Sequence, residues 1–261
     1  MAIALDTTNG VWTGTAVTTT LSYTVGSGSN RLLVVGVQTL TNAVTGVTYG
    51  GVAMTLAGRT TYVGARVGVA MYYLLAPASG TANIVASFST SAAFSIVAAS
   101  YTGVKQSAQP DAGNAFADAS GTTHTSTLTT VRPDVWMVAI DGNAGSLESA
   151  SGGSVVRQQG TAGNVGNGAL IDSNAPYTTA GSNTLTFTTA ASVATGYYTI
   201  SFSPFEQIAT VPLFALEARL FGMPPVTKVL AMTASLFTTS APSIWHNAVK
   251  TISAWINQSK S

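Results

Sequence analysis

RLLVVGVQT, Arg31–Thr39, is the stretch whose reading decides the fold. Every position from Leu32 to Val37 except Gly36 is Leu or Val, and the run follows the turn cluster Gly26-Ser-Gly-Ser-Asn30. A short apolar run bounded by turn signals and rich in β-branched residues reads as a strand buried on both faces. A two-sided strand needs a layer on each side, so it belongs to the centre of a β body.

Working outward, runs rich in Val, Thr, Ile and Tyr alternate with turn clusters at the spacing of a sandwich or barrel. On the N-terminal side, Thr15–Val25 reads as a strand. On the C-terminal side come Val47–Ala57, bent at Gly50-Gly51, then Val67–Leu75, Ala82–Phe88 and Phe94–Tyr101. A second series follows: Thr122–Thr130, Val135–Asp141, Ser154–Gln159, Ala169–Asp172, Asn183–Thr188 and Gly196–Ser203. A shift of 102 sets Gly50-Gly51 on Gly152-Gly153, Gly58 on Gly160, Val63-Gly64 on Val165-Gly166 and Val34-Val35 on Trp136-Met137. A slightly larger shift sets Thr13-Gly14-Thr15 on Ser120-Gly121-Thr122. The expected fold is mostly β: a jelly-roll-type antiparallel sandwich over 1–204, internally duplicated as half-repeats 1–105 and 106–204. A single large sandwich is preferred over two small ones. The segment Lys105–Ala119 is short and lacks the composition of a flexible linker.

Several of these segments carry a family resemblance. Gly26-Ser-Gly-Ser-Asn-Arg-Leu-Leu-Val-Val-Gly-Val37, Val47-Thr-Tyr-Gly-Gly-Val-Ala-Met-Thr55, Met71-Tyr-Tyr-Leu-Leu-Ala-Pro-Ala-Ser-Gly80 and Ser100-Tyr-Thr-Gly-Val104 together form it. The chain resembles a widespread family of β-sandwich modules, similar to concanavalin-like jelly rolls, found in phage structural proteins and large bacterial surface proteins. The resemblance implies a fold and a setting outside the cell. It transfers no catalytic or ligand-binding residue.

Charge is sparse. The chain of 261 residues has 7% charged residues and a net charge of +1, against roughly 25% charged in an average soluble domain. Up to Pro204 there are six basic residues (Arg31, Arg59, Arg66, Lys105, Arg132, Arg157) and seven acidic ones (Asp6, Asp111, Asp118, Asp134, Asp141, Glu148, Asp172). No Lys/Arg cluster exists, which argues against nucleic acid as a partner. Polarity comes from Thr, Ser, Asn and Gln, a surface that hydrogen-bonds water without long-range repulsion. Such a chain tolerates close packing against copies of itself or a scaffold.

There is no cysteine, so disulfides and thiolate metal sites are excluded. Met1-Ala-Ile-Ala-Leu-Asp6 lacks the basic and apolar regions of a secretory signal. No uninterrupted apolar run of about 20 residues predicts a transmembrane segment. An extracellular composition without an export signal fits assembly in a host cytoplasm and release by lysis, as for a virion; a dedicated secretion system fits it too.

From residue 205 the pattern changes to helix. Over 205–261 the sequence predicts three helical pieces: Val211–Phe221, Val226–Phe237 and a last one capped by Ser240 or Ser243. In the last, Ile244, Trp245, Ala248, Val249, Ile252, Trp255 and Ile256 recur at helical spacing, with His246, Asn247, Lys250, Asn257 and Gln258 opposite. A face that apolar must be covered. Its cover is the parent sandwich, sister chains, a groove in a scaffold protein or a membrane interface. We read 205–261 as a docking or oligomerisation tail carried by Trp245, Val249, Ile252, Trp255, Ile256, Leu230 and Phe237.

Catalytic chemistry finds little material. His124 and His246 are the only histidines. His124 reads as a half-exposed strand residue without a partner, and no Gly-x-Ser-x-Gly elbow occurs. Zinc-type clusters are missing. Asp141, Glu148 and Asp172 are candidates for a glycosidase-type pair, but nothing in their spacing brings them together. Asp141-Gly-Asn143 and Asp172-Ser-Asn174 supply oxygen ligands for calcium, without a spaced acidic loop. For glycan binding, Trp12, Tyr49, Tyr62 and Tyr177 are candidate stacking platforms.

The sequence-level expectation is a virion structural protein, a phage capsid decoration or head-fibre-like protein and not an enzyme, with no resident cofactor. It would display its sandwich and form a homo-oligomer, read as a trimer, on a capsid or tail scaffold protein. A tail-fibre or baseplate component is the near alternative. A carbohydrate-binding, adhesive surface module that reads a surface glycan is the other.

Overall fold

The computed structural model describes residues 2–39, 44–60, 68–143, 145–162 and 166–206. The chain divides into the unit Met1–Glu206 and the unit Gln207–Ser261. The helical tail expected over 205–261, including Leu230, Phe237, Trp245, Val249, Ile252, Trp255 and Ile256, lies outside the described residues except Phe205 and Glu206.

The body is mostly β with antiparallel sheets. Its first half runs β1 (Ala4–Val25), β2 (Leu32–Thr39), β3 (Val44–Tyr49), β4 (Val52–Ala53), β5 (Thr55–Arg59), β6 (Gly68–Leu75) and β7 (Gly80–Thr102). β2 is the RLLVVGVQT run, and it is buried at every position. It pairs with β6 on one side and with the second part of β7 on the other. β7 then belongs to two layers. From Phe94 onward it pairs with β2, whereas its first part pairs with β3. β1 follows it along its whole length, with register shifts at Leu5/Thr8, Thr13/Thr15 and Ala16/Thr18 that allow the pair to bend.

The second half continues with β8 (Ala112–Asp118), β9 (Thr123–Thr130), β10 (Trp136–Asn143), β11 (Glu148–Ala150), β12 (Val155–Ala162), β13 (Gly166–Asp172), β14 (Gly181–Thr189) and β15 (Thr195–Phe202). Its sheets have the orders β12-β13-β10-β15-β8 and β11-β14-β9. The first half uses the same order, with β5-β6-β2-β7-β1 as the inner layer and β3-β7-β1 as the outer one. The single strands β7 and β1 do there what β14 with β15 and β9 with β8 do here. Gly50-Gly51 and Gly152-Gly153 share their backbone state, with φ of 56° and 82° against 60° and 90°. A side chain is strained in that left-handed region, which is why glycine punctuates both turns.

Alternation along the central strands sorts the core into three apolar layers. Leu33, Val35 and Val37 face the outer layer of the first half, beside Tyr23, Tyr49 and Ile84. Met137 and Ala139 face β9 and β14, beside Leu128, Leu185 and Phe187. Between the halves, Leu32, Val34, Val97 and Tyr101 meet Trp136, Val138, Ile140, Leu170, Ile200 and Phe202. Strands therefore stack four layers deep, where the sequence reading preferred one two-sheet sandwich. Both β2 and β10 are buried on both faces, so each half closes its own pair of sheets and the two inner sheets pack back to back. The connecting segment Lys105–Ala119 contains β8, the edge strand beside β15.

Candidate functional site

The polar interior of the second half lies at one end of the layer between its two sheets. β10 carries Asp141 and Asn143 two residues apart, hence on one face, and both are 0% exposed. Asn143 pairs across the ladder with Asn167 of β13 on one side and Thr195 of β15 on the other. Glu148, the first residue of β11, comes from the facing sheet and is also buried.

Asn143 organises the group. Its Oδ1 accepts the backbone N–H groups of Gly145 (2.9 Å) and Ser146 (2.8 Å), which fixes which way the amide points. The Nδ2 group then donates to Ser146 O (2.9 Å), Asp141 Oδ2 (3.3 Å) and Glu148 Oε1. Asp141 Oδ1 accepts the Ala169 N–H at 2.7 Å, and the Glu148 N–H goes to Gln159 Oε1 at 3.0 Å. The Asp141 and Glu148 carboxyls thus meet at one amide, each accepting from Asn143 Nδ2. Burial, and then the Glu148 charge beside it, pushes Asp141 well above the usual carboxylate range; burial raises Glu148 as well. Two acceptors stay without a donor, Glu148 Oε2 and Asn167 Oδ1.

Beside this pair stands His124 of β9, and here the sequence reading needs correction. The ring is fully buried rather than half-exposed, and it is partnered on both nitrogens. Nδ1 lies 2.8 Å from Asp118 Oδ2; Nε2 lies 3.1 Å from Thr189 Oγ1 and 3.3 Å from Thr195 Oγ1. Phe187 and Tyr197 flank the ring at 5.2 and 6.2 Å. Carboxylate, imidazole and hydroxyl in series have the chemistry of an activated nucleophile. Thr195 is 0% exposed, however, so the hydroxyl presents no surface to a substrate. The relay joins β8, β9, β14 and β15 instead.

The third candidate carboxylate stands apart. Asp172 faces the layer between the halves, where Oδ2 accepts Arg157 Nε–H (2.8 Å) and the Tyr101 hydroxyl (3.0 Å), and Oδ1 accepts the Asn174 N–H (2.9 Å). With an arginine already on it, Asp172 is not free to serve as a cation ligand. Asp141 and Glu148 do meet, which their spacing had not predicted. They share the Asn143 amide inside the layer, both buried, rather than flank an open cleft as glycoside hydrolysis requires. Among the described residues no three of His, Asp and Glu are grouped to hold a metal.

The aromatic candidates for glycan stacking are placed as follows. Trp12 packs into the layer between the halves, with its ring against Gly160, where a Cβ would collide with the indole. Tyr49 is buried in the outer layer and donates to Gly80 O at 2.9 Å, so it offers no face to a sugar. Tyr177 is half-buried, and its hydroxyl donates to Thr184 O. Tyr62 lies outside the described residues.

No family model, no curated protein and no solved structure matches this chain.

Proposed function

We propose that this chain is a virion structural protein of the capsid-decoration or head-fibre kind, a non-enzymatic display body that docks or oligomerises through residues 205–261. The observation that carries this reading is the outer face of the body. Exposed threonines pair across it: Thr24 with Thr81 (2.7 Å), Thr125 with Thr186 (3.3 Å) and Thr127 with Thr184 (3.1 Å). Hydroxyl ladders of this kind cover a sheet without charge and suit dense display beside identical neighbours. The sealed histidine relay, whose Thr195 hydroxyl is fully buried, supports a structural role for that constellation. The turn and strand motifs that resemble phage and surface modules support the same setting, and the finer jelly-roll reading of each half belongs to this proposal.

The tail makes the reading testable. Burying each of Trp245, Ile252 and Trp255 is worth on the order of 1.5–3 kcal/mol, and the proposal places that burial between molecules. Full-length protein should co-sediment with particles purified after lysis, and immunogold labelling against residues 2–206 should decorate their surface. The double substitution Trp245→Ser with Trp255→Ser should leave the protein in the supernatant with the melting of the body unchanged. Full-length protein that never associates with particles overturns the proposal. So does a double variant that stays associated while the body loses several degrees of stability.

A further inference from the structure

The two halves close the same end of their folds with opposite chemistry. In the first half, Thr39 pairs with Phe94 and Val44 with Phe88; the two phenyl rings stack at 5.0 Å. In the second half, Asn143 pairs with Thr195 and Glu148 with Thr189 at the corresponding rungs. Val37, beside Ile96, corresponds to Asp141, beside Tyr197. An apolar plug thus suffices to close this architecture. Replacing buried charged groups by well-packed apolar ones is commonly neutral or stabilising, so folding alone does not explain two carboxyls here.

Among the described residues, the polar version has no positive partner. The hydrogen bonds already made come from outside and orient the ligating groups: Ala169 N–H on Asp141, Asn143 Nδ2 on both carboxyls, and Gln159 on the Glu148 backbone. Such outer contacts are how proteins aim metal ligands. Left over are Glu148 Oε2 and Asn167 Oδ1, buried acceptors with no donor, and Asn167 stands on the face of β13 that carries Asn143's neighbour position. A buried oxygen without a donor is costly. Hard oxygens from two carboxylates and a neutral amide suit calcium, which accepts amide and carbonyl oxygens beside carboxylates.

We propose that Asp141, Glu148 and Asn167 form a divalent-cation site, selective for calcium, that clasps β10, β11 and β13 together. The ion neutralises the two carboxyls and supplies the missing partner to the two orphan oxygens.

The test uses the full chain stripped with EDTA, followed by titration with CaCl2 and, separately, MgCl2. Calcium at about a hundred times Kd should raise the melting temperature by about 5–10 °C, with saturable heat in calorimetry and a smaller response to magnesium. Glu148→Gln, which keeps shape and removes one charge, should weaken binding at least about tenfold. The double variant Asp141→Val with Glu148→Val, which copies the first half's Val37 and Val44, should fold, melt at or above the ion-free parent and lose the calcium response. The proposal is overturned by no heat and no shift up to about 10 mM calcium, roughly tenfold above the Kd of weak extracellular calcium modules; the pair is then closed by a shared proton. A calcium response that survives in the Val double variant overturns it too, since the ion then sits elsewhere.

Discussion

Tyr101 is 1% exposed and gives its hydroxyl to Asp172, whose other partners are Arg157 and the Asn174 backbone. Burial, and then the Asp172 charge, push the phenol well above its ordinary value. A raised folded-state pKa favours folding while the group is protonated in both states. That contribution is complete below the unfolded value near 10 and is lost as pH rises beyond it. The protein should therefore lose stability on the alkaline side. Tyr101→Phe should cost about 1 kcal/mol at neutral pH and make the alkaline decline shallower, as melting curves from about pH 7 to 11 would show. The decline will not vanish, because Tyr23 and Tyr49 are raised as well. His124 makes a second residue-scale case. Its removal as His124→Ala takes a partner from the buried Thr195 hydroxyl, leaves Asp118 with the Tyr197 hydroxyl and solvent, and opens space between Phe187 and Tyr197, so we expect a loss of roughly 2–4 kcal/mol. A variant that melts like the parent would refute the structural role. None of this was legible in Thr122–Thr127. A histidine's partners are set by which strands meet, and Asp118 sits in the connection Lys105–Ala119, where the sequence predicts no strand.

At the scale of elements, the sequence announced strands whose burial follows its own pattern. β9 alternates exposed and buried at every position, and β2 is buried throughout; period and run length encode both states directly. β8 and β11 escaped because Ala112–Asp118 is half-exposed edge strand and Glu148–Ala150 is too short to show a period. The joint between the inner sheets escaped for another reason. Gln38 of β2 crosses to donate to Asp141 O and accepts from Ser95 Oγ, and it has room only because Gly168 lacks a Cβ. Nothing in either residue's surroundings in sequence shows this. Gly168→Ala should displace the amide and cost roughly 1–3 kcal/mol. If the clash is with Gln38, adding Gln38→Ala should recover part of the loss, a coupling that a double-mutant cycle measures. Strictly additive losses would mean that the alanine collides with something else.

For the whole molecule, the decisive surface is the layer between the halves, which the ordered glycine matches hinted at and the sequence reading folded into one sandwich. Composition cannot distinguish one four-layer body from a large two-layer one, since both need two-sided strands. The packing, however, has a thermodynamic consequence. Leu32, Val34, Val97 and Tyr101 on one side and Trp136, Val138, Ile140, Leu170, Ile200 and Phe202 on the other are buried only because the halves meet. Residues 1–105 alone would expose the first set as one apolar face, and such a face drives association rather than a soluble fold. The unit 1–206 should instead give a β circular dichroism spectrum and melt in one cooperative transition. Ile140→Ala removes a side chain that belongs to the second half but faces the first, at an expected cost of about 2–5 kcal/mol. If the halves fold as one unit, that loss must lower the melting of the first half as much as that of the second. Hydrogen exchange read separately on β3 and β14 distinguishes the cases, because each strand lies in the outer layer of a different half. Equal loss of protection on both means one folding unit. Loss confined to β14, or two resolved transitions in the parent, means that each half stands alone and the layer between them is merely a contact.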